Sequence, residues 1–126
     1  MKHSLLVFLG SGLGGVARLL LNNLITSLTG GGFPWGILTI NVLGSTAIGF
    51  VAGWFAFRGD AAADVRLFLT TGILGGFTTF SAFSLDAALL YERGQPGLAA
   101  VYVAASVALS LLGLFAGLWT IRLVSG

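Results

Sequence analysis

Side chains that can donate hydrogen bonds recur inside the apolar runs of this 126-residue chain. Tyr102, Ser106 and Ser110 follow one another at intervals of four residues, so a helix places their three hydroxyls on one face. Asn41 lies in a second apolar run and contributes an amide. Hydroxyl and amide groups are hydrogen-bond donors, and polar residues within membrane spans usually face a bundle interior or a water-filled cavity. These four residues are therefore candidates for lining a polar pathway.

The same polar residues also have a purely structural interpretation. Serine hydroxyls within spans often bond back to carbonyls of their own helix. Asn41 can bond across a helix interface, where Gly44 and Ser45 would permit close approach. For Asn41 the residues alone leave packing and pathway lining equally open.

Arg18 lies deeper in the first apolar run than a terminal anchor should. At 1.5 Å per residue it lies roughly 21 Å along a helix that starts at Ser4. The side chain either reaches the far interface or places a fixed positive charge near the mouth of an anion pathway. Gly10 and Gly14 precede Arg18 at helical spacing, which predicts a flat face that packs against another helix.

The most unusual segment is residues 75–84, which read Gly-Gly-Phe-Thr-Thr-Phe-Ser-Ala-Phe-Ser. Two glycines beside two threonines disfavour a continuous helix, so we expect a break. A break at membrane depth frees backbone carbonyls, and it is tolerated only where protein or a cavity surrounds it. The freed carbonyls can hold a hard cation. If the helix resumes, Phe80 and Phe83 share a face, with Ser84 one turn beyond Phe80. Plain packing is the default interpretation of such a phenylalanine pair.

The elements that position these residues are four apolar runs. The chain is 56% hydrophobic and 8% charged, with a mean hydropathy of +1.01, whereas a soluble domain has roughly 25% charged residues. A membrane span needs about 20 apolar residues. We therefore predict one transmembrane domain over residues 1–126, with spans at about 4–25, 35–57, 67–91 and 97–123. The fold class is an all-α integral membrane protein, an antiparallel bundle whose third helix is broken near its middle.

The composition argues against several functional classes. There is no cysteine, which excludes disulfides and thiolate metal sites. The lone histidine, His3, is terminal, and no carboxylate pair or nucleophile–base set can be assembled, so the chain is not expected to be an enzyme. No basic stripe is present that would bind nucleic acid.

The basic residues give a weak prediction of orientation. Four spans put both termini on one side of the membrane, and an excess of Lys and Arg favours the cytoplasm. The side of the termini collects Lys2, Arg58, Arg66 and Arg122, and the other collects Arg93 with Arg18. This bias of four against two leans toward cytoplasmic termini and is compatible with insertion in both orientations.

These segments together resemble the Fluc (CrcB) family of fluoride channels, which are small four-helix bacterial membrane proteins. Residues 75–84 are similar to the family signature GGFTTFSTFS, residues 36–45 to the signature around the pore asparagine, and residues 10–18 to a third. The resemblance covers essentially the whole chain. Leu19, Ala82 and Asp86 depart from the family pattern, which has an aromatic residue, a threonine and a glutamate there.

The resemblance implies a fluoride-selective channel of the bacterial inner membrane, a multi-pass protein that exports fluoride passively and confers fluoride resistance. It implies a dual-topology homodimer of two antiparallel subunits, with two fluoride pathways and one structural sodium ion at their interface. Backbone carbonyls matching Gly75 and Thr78 would hold the sodium, and Arg18 would supply positive charge at the vestibule. The residues that match the pore, together with their polar neighbours, are Asn41, Thr79, Phe80, Ser81, Phe83, Ser84, Tyr102, Ser106 and Ser110.

Three rival functions make different demands on the sequence. A small multidrug-type dual-topology exporter needs an acid in its first span, and residues 4–25 contain none. A proton-coupled fluoride carrier needs a proton-exchanging group within the pathway. A structural membrane protein would use all of these polar residues for packing and would conduct no ions.

Overall fold

The computed structural model of the chain describes residues 1–56 and 63–125, which form helices joined by short turns. The first two spans are α1 (Lys2–Thr29) and α2 (Trp35–Phe55). The third comprises α3 (Ala63–Leu67), a π-helix (Phe68–Leu74), α4 (Gly75–Phe77) and α5 (Phe80–Glu92), and the fourth is α6 (Pro96–Ser125). Four helices are long and apolar enough to cross a membrane. The predicted all-α architecture of four spanning helices is confirmed.

Two helix ends differ from the sequence prediction for local reasons. The helix α1 continues to Thr29, where Gly30 adopts φ 87° and donates its N–H to the Thr26 carbonyl at 2.9 Å, a left-handed cap. The third span begins at Ala63, inside the stretch predicted to be loop, with Asp64 in its first turn. A carboxylate there is favoured by the positive end of the helix dipole. Phe57, the predicted end of the second span, and Arg58 lie outside the described residues.

Glycines let α1 pack directly against the backbone of the third span. A Cβ on Gly10 would lie 2.8 Å from the Cα of Gly72, and one on Gly14 would collide with the Ile73 carbonyl oxygen. A Cβ on Gly76 would collide with the Ser11 backbone. The predicted packing face of Gly10 and Gly14 is therefore confirmed, and it fixes α1 against the π-helix and α4.

The helices α2 and α6 form the most extensive pair in the bundle. A Cβ on Gly49 would collide with the Leu114 carbonyl, and Gly113 and Gly117 both face the turn around Thr46. Small residues at such crossings allow the close backbone contact that drives helix association in lipid. This pair is the support on which the polar residues of α2 and α6 are held.

Candidate functional site

The third span is interrupted at Thr78 and Thr79, which are both extended. Thr78 has ψ 155° and Thr79 has φ −153° and ψ 118°. The Thr79 hydroxyl oxygen accepts a hydrogen bond from the Ala82 N–H at 3.1 Å, which caps the helix that restarts at Phe80. The predicted break is present. It follows the glycine pair rather than coinciding with it, because Gly76 is needed for contact with α1.

Asn41 binds the peptide groups of this break with both ends of its amide. Its Nδ2 donates to the Thr79 carbonyl at 3.1 Å, and the Thr79 N–H donates to its Oδ1 at 2.8 Å. One Nδ2 hydrogen remains for another acceptor. Asn41 thus joins α2 to the third span, as the packing interpretation predicts, and it also lines the cavity described next.

A cavity of about 360 Å³ lies beside the break, between α2, the third span and α6. Hydroxyl, amide and phenylalanine side chains line it, together with aliphatic ones. Of the predicted pore residues it brings together six: Asn41, Thr79, Phe80, Phe83, Ser106 and Ser110. No charged side chain is among its described lining residues.

Ser106 is the most informative member of this lining. Its side chain is 4% exposed, and its hydroxyl has no hydrogen-bond partner among the residues that the structure describes. A buried polar group without a partner costs roughly 1–3 kcal/mol. Among the described residues, Ser106 therefore holds an unused hydrogen-bond donor beside the cavity.

Three aromatic rings beside the cavity are in successive tilted contact. The ring centroids of Phe80 and Phe83 are 5.5 Å apart, and those of Phe83 and Tyr102 are 5.2 Å apart. Tyr102 is fully buried behind Phe83, and its hydroxyl donates to Asp86 Oδ2 at 3.4 Å. Tyr102 therefore supports the rings, with its hydroxyl directed to Asp86.

The remaining predicted site residues lie elsewhere. The Ser81 hydroxyl is 3.3 Å from that of Thr79 and marks the edge of the break. Ser84 is exposed, Arg18 is half-buried, and neither lines the cavity. Asp86 lines a second cavity of about 160 Å³, with Asn22 and Arg93. Ser45 lines the main cavity but was missed as a pathway residue, although its spacing of one turn from Asn41 was visible in the sequence.

Because of the break, the backbone carbonyls of Gly75 and Thr78 lose the N–H donors that they would have in a continuous helix. The Thr79 N–H, which would reach the Gly75 carbonyl four residues earlier, donates to Asn41 instead. The Ala82 N–H, which would reach the Thr78 carbonyl, donates to the Thr79 hydroxyl. Gly75 and Thr78 are the two residues expected to hold sodium, and oxygen ligands of this kind suit a hard cation.

Four apolar spans surround a mainly apolar cavity whose described lining is uncharged and includes hydroxyl and amide groups. This arrangement defines a multi-pass membrane protein with a candidate route for a small anion. The sequence pattern of the family described as CrcB-like protein, Camphor Resistance (CrcB), matches residues 5–118. The chain belongs to this family.

Relatives of similar length align over nearly the whole chain. A protein of Rhodopseudomonas palustris (strain BisB5) named "Fluoride-specific ion channel FluC" is 60% identical over 121 residues, covering 96% of this chain and 98% of the relative. "Fluoride-specific ion channel FluC 2" of Nitrobacter hamburgensis is 57% identical, over 94% of this chain and 95% of its own. A Methylobacterium nodulans protein named "Fluoride-specific ion channel FluC" is 54% identical, and the alignment covers 97% of this chain and 98% of the relative.

Proposed function

We propose that this protein is a fluoride-specific ion channel, a multi-pass protein of the bacterial inner membrane through which fluoride leaves the cell down its electrochemical gradient. The relatives that cover the whole chain bear this name. Conduction involves no covalent chemistry, and the protein is not an enzyme. Passive exit of fluoride would confer fluoride resistance.

The observation that carries the proposal is the buried hydroxyl of Ser106, which has no partner among the described residues, beside a cavity whose described lining is uncharged. Fluoride is small and strongly hydrated, so a pathway has to replace its water with close donors. Ser106, Ser110 and the free Nδ2 hydrogen of Asn41 are such donors. The edges of Phe80 and Phe83 carry the positive end of the ring quadrupole and face an anion favourably.

The pathway is completed by a second copy of the chain in this proposal. Phe80 lines the cavity although its side chain is 78% exposed, so one wall of the cavity is open in the single subunit. An antiparallel partner that covers this wall would enclose the rings and exclude lipid. Two copies would then form two pathways in a dual-topology homodimer.

A structural sodium ion between the two subunits is the remaining part of the proposal. The carbonyls of Gly75 and Thr78, whose usual helical donors are engaged elsewhere, are the groups that would hold it. When bound, the ion would supply fixed positive charge near the pathways. Arg18 is proposed to add positive charge at the vestibule, which would favour entry of anions.

The experiment that tests this function is ion efflux from liposomes that contain the purified protein. Vesicles loaded with potassium fluoride should lose fluoride rapidly only when valinomycin carries the balancing potassium, because a channel moves net charge. Vesicles loaded with potassium chloride should retain their chloride. Fluoride loss without valinomycin would indicate a coupled carrier, and no loss from folded protein would leave the structural interpretation.

A further inference from the structure

A third serine lines the candidate pathway, and this one belongs to α2. Ser45 lies one turn after Asn41 and lines the same cavity as Ser106 and Ser110. Its side chain is half-buried and forms no hydrogen bond within the part of the chain that the structure describes. Ser45 is thus placed like the proposed pore serines of α6 and has the same unused donor.

The neighbouring hydroxyl on α2 behaves differently. Thr46 donates to the carbonyl of Val42 at 2.8 Å, the usual bond of a hydroxyl back to its own helix. Thr46 faces Gly113 of α6 and does not line the cavity. Of these two adjacent residues of α2, Thr46 therefore has a structural hydroxyl, whereas the hydroxyl of Ser45 is available to a ligand.

The register of α2 and α6 places Ser45 where α6 has no donor left. Gly113 packs against Val42 and Thr46, so residue 113 lies at the depth of Ser45. Ser110 lies about one turn earlier along α6, near the depth of Asn41. After Ser110, the side of α6 that faces the cavity continues with Leu111, and the next residues are Leu112, Gly113 and Leu114.

We propose that Ser45 is a further fluoride-binding residue of the pathway, which donates its hydroxyl to the ion one helical turn beyond Asn41. It continues the series of donors from α6 onto α2 at the depth where α6 becomes apolar. An ion that leaves Ser110 then meets a donor rather than the aliphatic walls of Ile48 and Leu111, which line the cavity nearby. This inference rests on the proposed fluoride channel function.

The test compares the fluoride efflux rate per channel for the wild-type protein and variants at these two positions. Ser45→Ala should lower the rate about fivefold, the effect expected from losing roughly one hydrogen bond to an ion. Thr46→Val, which removes the neighbouring hydroxyl at equal volume, should leave the rate within about twofold, since that hydroxyl serves its own helix. Elution volume and thermal stability of each purified variant report its folding.

A second pair of variants separates the hydroxyl from the size of the side chain. Ser45→Thr and Ser45→Val differ in shape very little, so the Thr variant should conduct several-fold faster than the Val variant. Equal rates in this pair, or equal losses for Ser45→Ala and Thr46→Val, would overturn the assignment while fluoride conduction by the wild type stands. A wild-type protein that does not conduct fluoride would instead remove the proposed function itself.

Discussion

Phe80 and Phe83 border the same cavity with very different surroundings. Phe83 is 9% exposed and packs against Tyr102, whereas Phe80 is 78% exposed, with its ring tilted 50° from that of Phe83. Core packing explains Phe83 within one subunit but does not explain Phe80. An exposed ring at the edge of this cavity is accounted for when both an anion and a second subunit contact it.

Replacing either ring should reduce conduction without disrupting the fold. Phe80→Ile and Phe83→Ile keep apolar volume but remove the positive ring edge that would face the ion, so fluoride efflux should fall several-fold. Phe115→Ile, an exposed ring on α6 outside this cavity, is the matched control and should conduct normally. Unchanged efflux in both pathway variants would remove these rings from the mechanism.

A substitution at Ser106 should change fluoride conduction without changing the stability of the protein. Because its hydroxyl has no partner among the described residues, Ser106→Ala breaks no hydrogen bond to them, and the midpoint of thermal unfolding should not fall. Fluoride efflux should fall several-fold because a donor to the ion is lost. In the control, Thr120→Val removes a hydroxyl that bonds to the Ala116 carbonyl and should leave efflux unchanged. A Ser106→Ala protein that is less stable yet conducts normally would assign this serine to packing.

At the scale of helices, the sequence predicted the four spans and the break because both depend on local composition. Apolar runs set the spans, and the Gly-Gly-Phe-Thr-Thr segment disfavours a continuous helix. The clamp of Asn41 on Thr79 could not be predicted, because it joins residues 38 positions apart in the chain. The π-helix at Phe68–Leu74 was also missed; it lies where Gly10 of α1 approaches the backbone of Gly72.

For the candidate site as well, the sequence predicted what depends on spacing within one helix and missed contacts between helices. Periodicity placed Ser106 and Ser110 on one face, and both line the cavity. The same periodicity grouped Tyr102 with them, but its hydroxyl bonds to Asp86, a contact between α5 and α6 that spacing within one helix cannot reveal. Ser45 has the spacing of a pathway residue, yet only the cavity distinguishes it from Thr46.

The packing of α1 against the third span makes opposite predictions for two adjacent glycines. A Cβ on Gly14 would collide with the Ile73 carbonyl, whereas one on Gly15 has no neighbour within 4 Å. Gly14→Ala should therefore separate the helices, lower the thermal midpoint by several degrees or more and reduce the yield of folded protein. Gly15→Ala should be neutral or stabilising by up to about 1 kcal/mol, because alanine favours the helix. Equal stability of the two variants in detergent would contradict this packing.

At the scale of the whole molecule, the chain has little interior of its own. Among the described residues only a short series of large apolar side chains is buried, including Ile37, Ile40, Leu90 and Tyr102. Many leucines and phenylalanines on α1 and α6 are exposed, as expected where lipid or a second subunit covers them. The open wall at Phe80 and the weak charge bias both favour an antiparallel pair over a monomer.

Charge at the two membrane faces fits insertion in both orientations. The face of the termini carries Lys2, Arg66 and Arg122 among the described basic residues, with Asp64 bound to Lys2 at 2.9 Å. The opposite face carries Arg93, and Arg18 lies toward that face. A difference this small gives the positive-inside rule little to act on, which is compatible with insertion in both orientations.

The absence of cysteine makes this topology directly measurable. Gly32 lies in the turn after α1, where a Cβ has no neighbour within 4 Å, so Gly32→Cys introduces one thiol at the face opposite the termini. In intact cells a membrane-impermeant maleimide should label about half of the molecules, because the charge bias selects neither orientation, and permeabilisation should expose the rest. A Val124→Cys variant, whose side chain is exposed near the end of α6 on the side of the termini, should show the same proportions. Complete labelling of one variant from outside, with full protection of the other, would establish a single orientation and exclude the antiparallel dimer.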